Sequence, residues 1–166
     1  MNEENTDMES VAHFLAYSIK LEEEAALRFD QLADAMLSAG NHEVGKLFRR
    51  LADYSRLHMR TARDRSGFHE LPKFKPGDFN WPDIESPETA AIWAADPFLC
   101  REQALEVALE AESASLAYYR NILESTQDPE IRAFAKEFVE EETEHVAELQ
   151  RWLSLHHSGQ PLPVDR

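Results

Sequence analysis

Two residues near the carboxyl end of the chain have types and a spacing suited to binding a metal ion. Glu142 and His145 interrupt an otherwise apolar stripe that recurs every three or four residues along a predicted helix. Their Glu-x-x-His spacing directs a carboxylate and an imidazole from successive helical turns towards one point. Acidic residues are frequent between Glu130 and Glu148, so this motif alone would also arise by chance on a solvated helix face.

Three further residues of the same kinds fall on the apolar stripes of other predicted helices. Glu22 lies on the first helix, His58 on the second and Glu112 on the third. Taken singly, His58 would be interpreted as a hydrogen-bonded core histidine, and Glu22 as the edge of an acidic run. Their recurrence at matched positions instead favours a shared metal site in the interior, because buried carboxylates need a compensating partner.

An aromatic residue follows each of the two isolated glutamates by seven positions. Phe29 follows Glu22, and Tyr119 follows Glu112. Tyr119 is predicted to pack in the core beside the site. A redox role, or a hydrogen bond to a metal ligand, is the candidate catalytic function for this residue.

Helical periodicity predicts four long helices that would carry these residues. Including their N-caps, they span residues 10–38, 41–65, 96–125 and 128–156, with a short extra helix over 87–94. The connection over residues 67–96 is rich in proline and aromatic residues, which predicts an ordered crossover loop. The expected fold is therefore all-α, a four-helix bundle of two helical hairpins joined by a long crossover. It forms one domain over residues 1–157, followed by a flexible tail over 158–166.

The chain resembles the rubrerythrin-like branch of the ferritin-like superfamily over roughly residues 10–152. The resemblance is carried by Glu22 with Phe29, by His58, by Glu112 with Tyr118-Tyr119, and by Glu142-Thr143-Glu144-His145. It implies a non-haem di-iron protein that reacts with dioxygen or peroxide, or that handles iron. In such bundles two helices each supply a Glu, and the other two each supply Glu-x-x-His.

The second helix departs from this family pattern at one position. It reads Ser55-Arg56-Leu57-His58, so Ser55 stands where the family carries the Glu that usually bridges two metal ions. Asp53 points to nearly the opposite side of the helix, which leaves Glu23 or water as candidates for that position. Five ligands implied by the resemblance remain: Glu22, His58, Glu112, Glu142 and His145.

Three carboxylates and two imidazoles suit iron or manganese, and zinc could also bind. Fewer anionic ligands would weaken binding of a second ion, so a di-iron site and a mononuclear or asymmetric site both stay open. Cys100 is the single cysteine, and paired Cys-x-x-Cys motifs of a rubredoxin-like domain are therefore missing. A redox-active form would need a separate electron donor.

The overall charge excludes several classes of partner. The chain has 32 Asp and Glu against 17 Lys and Arg, a formal net charge of −15. This excess argues against nucleic acid and against an anionic membrane surface as partners. No stretch approaches the ~20 apolar residues of a membrane span, and the acidic start lacks the apolar segment of a signal peptide. We therefore expect a soluble, cytoplasmic protein.

Three functions remain open from the sequence. The first is an iron-dependent oxidase or peroxidase acting on dioxygen or peroxide. The second is iron storage or iron handling. In the third, the site has decayed at Ser55, and a metal-free or mononuclear bundle acts as a binding or scaffold protein, expected to be a homodimer.

Overall fold

Four long helices form the protein, which is represented here by a computed structural model. The structure describes residues 10–67, 70–83 and 85–165. Within these residues the helices are α1 (Val11–Ser38), α2 (His42–Arg65), α3 (Arg101–Ser125) and α4 (Pro129–His157), and no strand is present. This confirms the predicted all-α bundle. Residues 1–9, on which the expectation about a signal peptide rests, and Arg166 lie outside the described residues.

Polar caps begin three of the four helices at the predicted places. The side chains of Ser10 and Asn41 each accept a hydrogen bond from the amide three residues ahead, and Asp128 accepts from the amides two and three residues ahead. Gly40 adopts a positive φ of 84° and so ends α1 without strain. Short connections therefore join α1 to α2, and α3 to α4, as two helical hairpins.

The third helix begins later than predicted, at Arg101 instead of at Asp96. The carbonyl of Asp96 accepts a hydrogen bond from the amide of Leu99 at 3.0 Å, which closes a turn. Leu99 is 3% exposed, and its carbonyl accepts a bond from Asn41 Nδ2 at 2.9 Å. Burial of Leu99 against the start of α2 therefore delays the helix.

The short extra helix also differs from its predicted bounds of 87–94. A hydrogen-bonded turn over 86–89 is followed by a single 3-10 turn over Ile92–Ala95. The guanidinium of Arg28 donates to the carbonyl of Ala90 at 2.5 Å. That carbonyl is thus engaged by α1 instead of by a following helical turn, which explains why no α-helix forms.

Aromatic packing holds the crossover against α1, as predicted. Tyr17 of α1 is 1% exposed. Its ring centroid lies 5.7 Å from that of Phe74 and 5.0 Å from those of Phe79 and Trp81. The amide of Asn80 donates to the Tyr17 hydroxyl at 2.9 Å. The crossover is therefore held against α1 at fixed points.

The carboxyl-terminal segment packs on the bundle as well. Leu162 is 1% exposed and belongs to the core, and Asp165 Oδ1 lies 2.5 Å from Arg101 Nη2. The glycine and proline content of residues 158–166 predicts a flexible tail, but Leu162 packs in the core instead. A single apolar residue between two prolines has no periodicity from which this packing could be predicted.

The interior contains two apolar clusters, one towards each end of the bundle. The first includes Phe29, Met36, Phe48, Leu105 and Trp152. The second includes Phe14, Leu15, Tyr119, Ile131 and Phe138. On each helix the candidate site residues lie between the segments that contribute to the two clusters, so they form a polar layer in the middle of the bundle. Among the described residues, none of the helices combines the length and apolar composition needed to cross a membrane.

Candidate metal centre

The structure brings all five sequence-predicted ligands together and adds a sixth group from the crossover. Two sets of three residues face each other in the polar layer. The first set is Glu22 of α1, His58 of α2 and Glu88 of the crossover, and the second is Glu112 of α3 with Glu142 and His145 of α4. Within each set, one donor atom from each residue lies within 4.8 Å of the other two.

Donor atoms within each set are separated by short distances. His58 Nδ1 lies 3.9 Å from Glu22 Oε1. His145 Nδ1 lies 3.4 Å from Glu142 Oε2 and 3.6 Å from Glu112 Oε2. Two donors that share one ion at ~2.1 Å lie about 3 to 3.5 Å apart. These separations are therefore close to those of ligands arranged around a common cation.

The carboxylates of the site are buried and poorly satisfied. Glu22 is 5% exposed, Glu142 2% and Glu88 0%. The buried polar atoms of the site that lack a hydrogen-bond partner in the described structure are Glu22 Oε2, His58 Nδ1, Glu112 Oε2 and both carboxylate oxygens of Glu88. A buried polar group without a partner is costly, and a cation among them would supply the missing interaction. The residues present therefore fit a metal ion.

The pKa values of the two site histidines, His58 and His145, are shifted in opposite directions. Burial, followed by the nearby charge of His145, lowers the pKa of His58 to about 4. Burial also acts to lower the pKa of His145, but the nearby carboxylates of Glu112 and Glu142 outweigh this and raise that pKa to about 11. In the metal-free protein at neutral pH, His58 is thus a neutral imidazole with a free lone pair, and His145 is an imidazolium.

Burial is the largest influence on the carboxyl groups. It raises the pKa values of Glu22, Glu88 and Glu142 well above the ordinary value. Burial pushes the pKa of Glu112 upwards too, but its close approach to His145 and Glu142 brings it down to about 2. Without metal, the layer therefore retains protons where cations would otherwise balance the carboxylates, and metal entry would displace them.

Asp53 and Glu23 do not reach the site, so neither replaces the Glu that is absent from α2. Ser55 is 2% exposed and points into the bundle interior. Asp53 is exposed and pairs with Arg56 Nη2 at 2.5 Å. Glu23 is exposed and lies 3.8 Å from Lys20 Nζ. The carboxylate that completes the first set is Glu88.

Sequence reasoning missed Glu88 because a loop has no periodicity that marks an inward face. Ser86-Pro87-Glu88 instead matches the start of a helix, where an acidic residue is ordinary. The position of Glu88 depends on Arg28, which pairs with the carboxylate of Glu85 and donates to the carbonyl of Ala90. These two contacts fasten the crossover on either side of Glu88.

Tyr119 lies beside the polar layer in a closely packed aromatic environment. It is 1% exposed, and its ring centroid lies 5.1 Å from that of Phe138 and 6.0 Å from that of Phe14. Burial, then the charges of Glu142 and Glu22, raise the pKa of Tyr119 well above the ordinary value. The hydroxyl therefore keeps its proton next to the carboxylates.

Comparison with known proteins places this centre in a family. The Rubrerythrin family model matches residues 13–153, a range that includes all six residues of the two sets. The chain is also similar to the crystal structure of an uncharacterized conserved protein from Magnetospirillum magnetotacticum MS-1. The two are 32% identical, the match covers 93% of this chain and 97% of that chain, and the TM-score is 0.63. No curated protein matches significantly. On this evidence the chain belongs to the rubrerythrin family.

Proposed function

We propose that this protein holds two iron ions in the middle of the bundle and uses them to react with peroxide or dioxygen. The observation that carries the proposal is the pair of facing three-residue sets, in which several buried carboxylate oxygens lack a hydrogen-bond partner among the described residues. Each set contains one imidazole and two carboxylates, which are borderline and hard donors. Such a set suits ferrous iron, and manganese or zinc would compete for it.

The chemistry would take place in an interior that the chain keeps apolar on both sides. When bound, two ferrous ions would supply the two electrons that, with two protons, reduce one hydrogen peroxide to two waters. The apolar clusters above and below the layer limit the access of water from the two ends of the bundle. Burial and the charges of Glu142 and Glu22 keep the hydroxyl of Tyr119 protonated, which makes it a candidate proton donor to the layer.

Further turnover would need electrons from outside this bundle. Cys100 is the single cysteine of the chain, and one thiol cannot build the four-thiolate iron site of a rubredoxin-like domain. We therefore expect a separate electron donor to return the iron to the ferrous state.

The test of the proposal is metal analysis of protein loaded anaerobically with ferrous ammonium sulfate and then desalted. Wild-type protein should retain two iron ions per chain. Glu142→Ala should lose iron because it removes a buried donor, whereas Glu144→Ala should not, because Glu144 is exposed on the same helix. Absence of iron in the wild type, or equal retention by both variants, would refute the proposal.

A second candidate function, a dimeric scaffold without a metal requirement, is favoured by one surface feature. Three large apolar side chains before α3 are exposed: Ile92 by 61%, Trp93 by 58% and Phe98 by 91%. Contact with a second copy would cover them. A scaffold would be as heat-stable with a chelator as with metal, since only a ligand that binds the native state raises stability. Native mass measurement of wild type and Phe98→Ser would test the dimer independently.

A further inference from the structure

We infer that Glu88 replaces the carboxylate missing at Ser55 and serves as a metal ligand supplied by the crossover. The inference rests on the proposed metal site and adds to it a donor from outside the four helices. It also explains how a chain with Ser-x-x-His on α2 retains a complete ligand set.

The placement of Glu88 is unusual for a loop residue. Loops usually run over the surface, and glutamate is rarely buried without a partner. Glu88 is nevertheless 0% exposed, and neither of its carboxylate oxygens has a hydrogen-bond partner among the described residues. One of these oxygens lies within 4.8 Å of donor atoms of both Glu22 and His58. The side chain therefore points into the site and lacks the partner that a cation would provide.

The charges of the site are consistent with this role. Without Glu88, three carboxylates would face the four positive charges of two divalent ions. With Glu88, four carboxylates match them, and each of the two sets contains two carboxylates and one imidazole. Electroneutrality matters in this location because an uncompensated charge in the interior is expensive.

The surrounding structure holds Glu88 in place independently of a metal. Arg28 anchors the crossover at Glu85 and at the carbonyl of Ala90, and the amide of Thr89 closes a turn on the carbonyl of Ser86 at 3.0 Å. Glu88 is therefore pre-positioned by contacts made through its neighbours, as expected for a ligand.

The test compares iron content after anaerobic loading with ferrous ammonium sulfate and desalting. Glu88→Gln keeps the size of the side chain and removes its anionic donor, so it should retain one iron ion per chain where the wild type retains two. Glu70→Gln is the matched control from the crossover, because Glu70 is exposed, and it should retain two. Helix content measured by circular dichroism establishes that each variant is folded.

A rescue experiment distinguishes a specific ligand from a general effect of the crossover. Glu88→Ala should also lose one iron ion, and Ser55→Glu added to it should restore the count to two by returning the donor to α2. Retention of both ions by Glu88→Gln, or failure of Ser55→Glu to restore the second ion, would overturn the inference. If the wild type itself binds fewer than two ions, the proposed dinuclear site fails instead.

Discussion

The imidazole rings of His58 and His145 lie parallel in the centre of the bundle, with centroids 3.9 Å apart and planes inclined by 7°. Each ring comes from a different helical hairpin, so their contact joins the two halves of the polar layer. The pKa of one ring is lowered to about 4 and that of the other raised to about 11. The proton of the metal-free pair therefore resides on His145, which is the ring that the carboxylates of Glu112 and Glu142 face.

Metal binding should stabilise the fold through these histidines. A ligand present at about 100 times its dissociation constant adds about 2.7 kcal/mol to the unfolding free energy, which is about 5 to 10 °C for a domain of this size. Adding Mn²⁺ to metal-free wild type should therefore raise the melting temperature, as measured by calorimetry. His145→Ala should abolish most of this increase. His157→Ala, which changes a histidine paired with Glu102 at the end of α4, should keep it.

The stability of the metal-free protein should fall as pH rises above about 6.5. The pKa values of Glu22, Glu88, Glu142 and His145 are raised in the folded state, so these groups hold protons that the unfolded chain has released. Stability then declines with pH, by about 1.4 kcal/mol per pH unit for each proton so held.

The lowered pKa values do not oppose this decline. The pKa values of about 4 for His58 and about 2 for Glu112 affect stability only below the ordinary values of those groups. Urea unfolding of chelator-treated protein between pH 6.5 and 9 measures the trend. A flat or rising curve would contradict the assignment, and Mn²⁺ should reduce the slope because it replaces the retained protons.

Arg28 should influence metal affinity without touching the metal. Arg28→Ala removes the hydrogen bond to the carbonyl of Ala90 and so loosens the segment that carries Glu88. Loss of one charge-assisted hydrogen bond corresponds to a weakening of about tenfold. Competition titration with a fluorescent chelator should show this change for Arg28→Ala. It should show little change for Glu70→Gln, which alters an exposed carboxylate of the crossover, and equal affinities of Arg28→Ala and wild type would exclude this positioning role.

Tyr119 should affect reactivity and leave metal content unchanged. Tyr119→Phe preserves the ring that packs on Phe138 and Phe14 but removes the hydroxyl beside the carboxylates. Stopped-flow absorbance of iron-loaded protein mixed with hydrogen peroxide should show slower oxidation, by at least about tenfold if the hydroxyl contributes a proton or hydrogen bond. Tyr118→Phe is the control because the Tyr118 hydroxyl has no hydrogen-bond partner in the described structure. Equal rates for wild type and Tyr119→Phe would assign Tyr119 to packing alone.

The parts of the fold that depend on periodicity could be predicted from the sequence. Apolar residues three and four apart place Glu22 and Glu142 on inward faces, and both are buried. Cap residues such as Asn41 and Asp128 fix helix ends through bonds to nearby amides, so these boundaries follow from local chemistry. Five residues of the polar layer could be identified in this way.

The features that depend on tertiary contacts could not be predicted. Leu99 delays α3 by packing against the start of α2, and nothing in the local sequence signals that contact. Glu88 lies in a segment whose conformation is set by Arg28, about sixty residues earlier in the chain. Ser-Pro-Glu is also a good helix start, so local propensity favoured a structure that long-range hydrogen bonding overrides.

The contribution of the crossover to the polar layer has a consequence for unfolding. An ion shared by Glu22, His58 and Glu88 would tie together three stretches of chain that are far apart in sequence. Like a disulfide, such a cross-link closes long loops and reduces the conformational entropy available to a partly opened chain. The loaded protein would then have to lose this ion before the connection could detach from the first hairpin, and the two would melt as one cooperative unit.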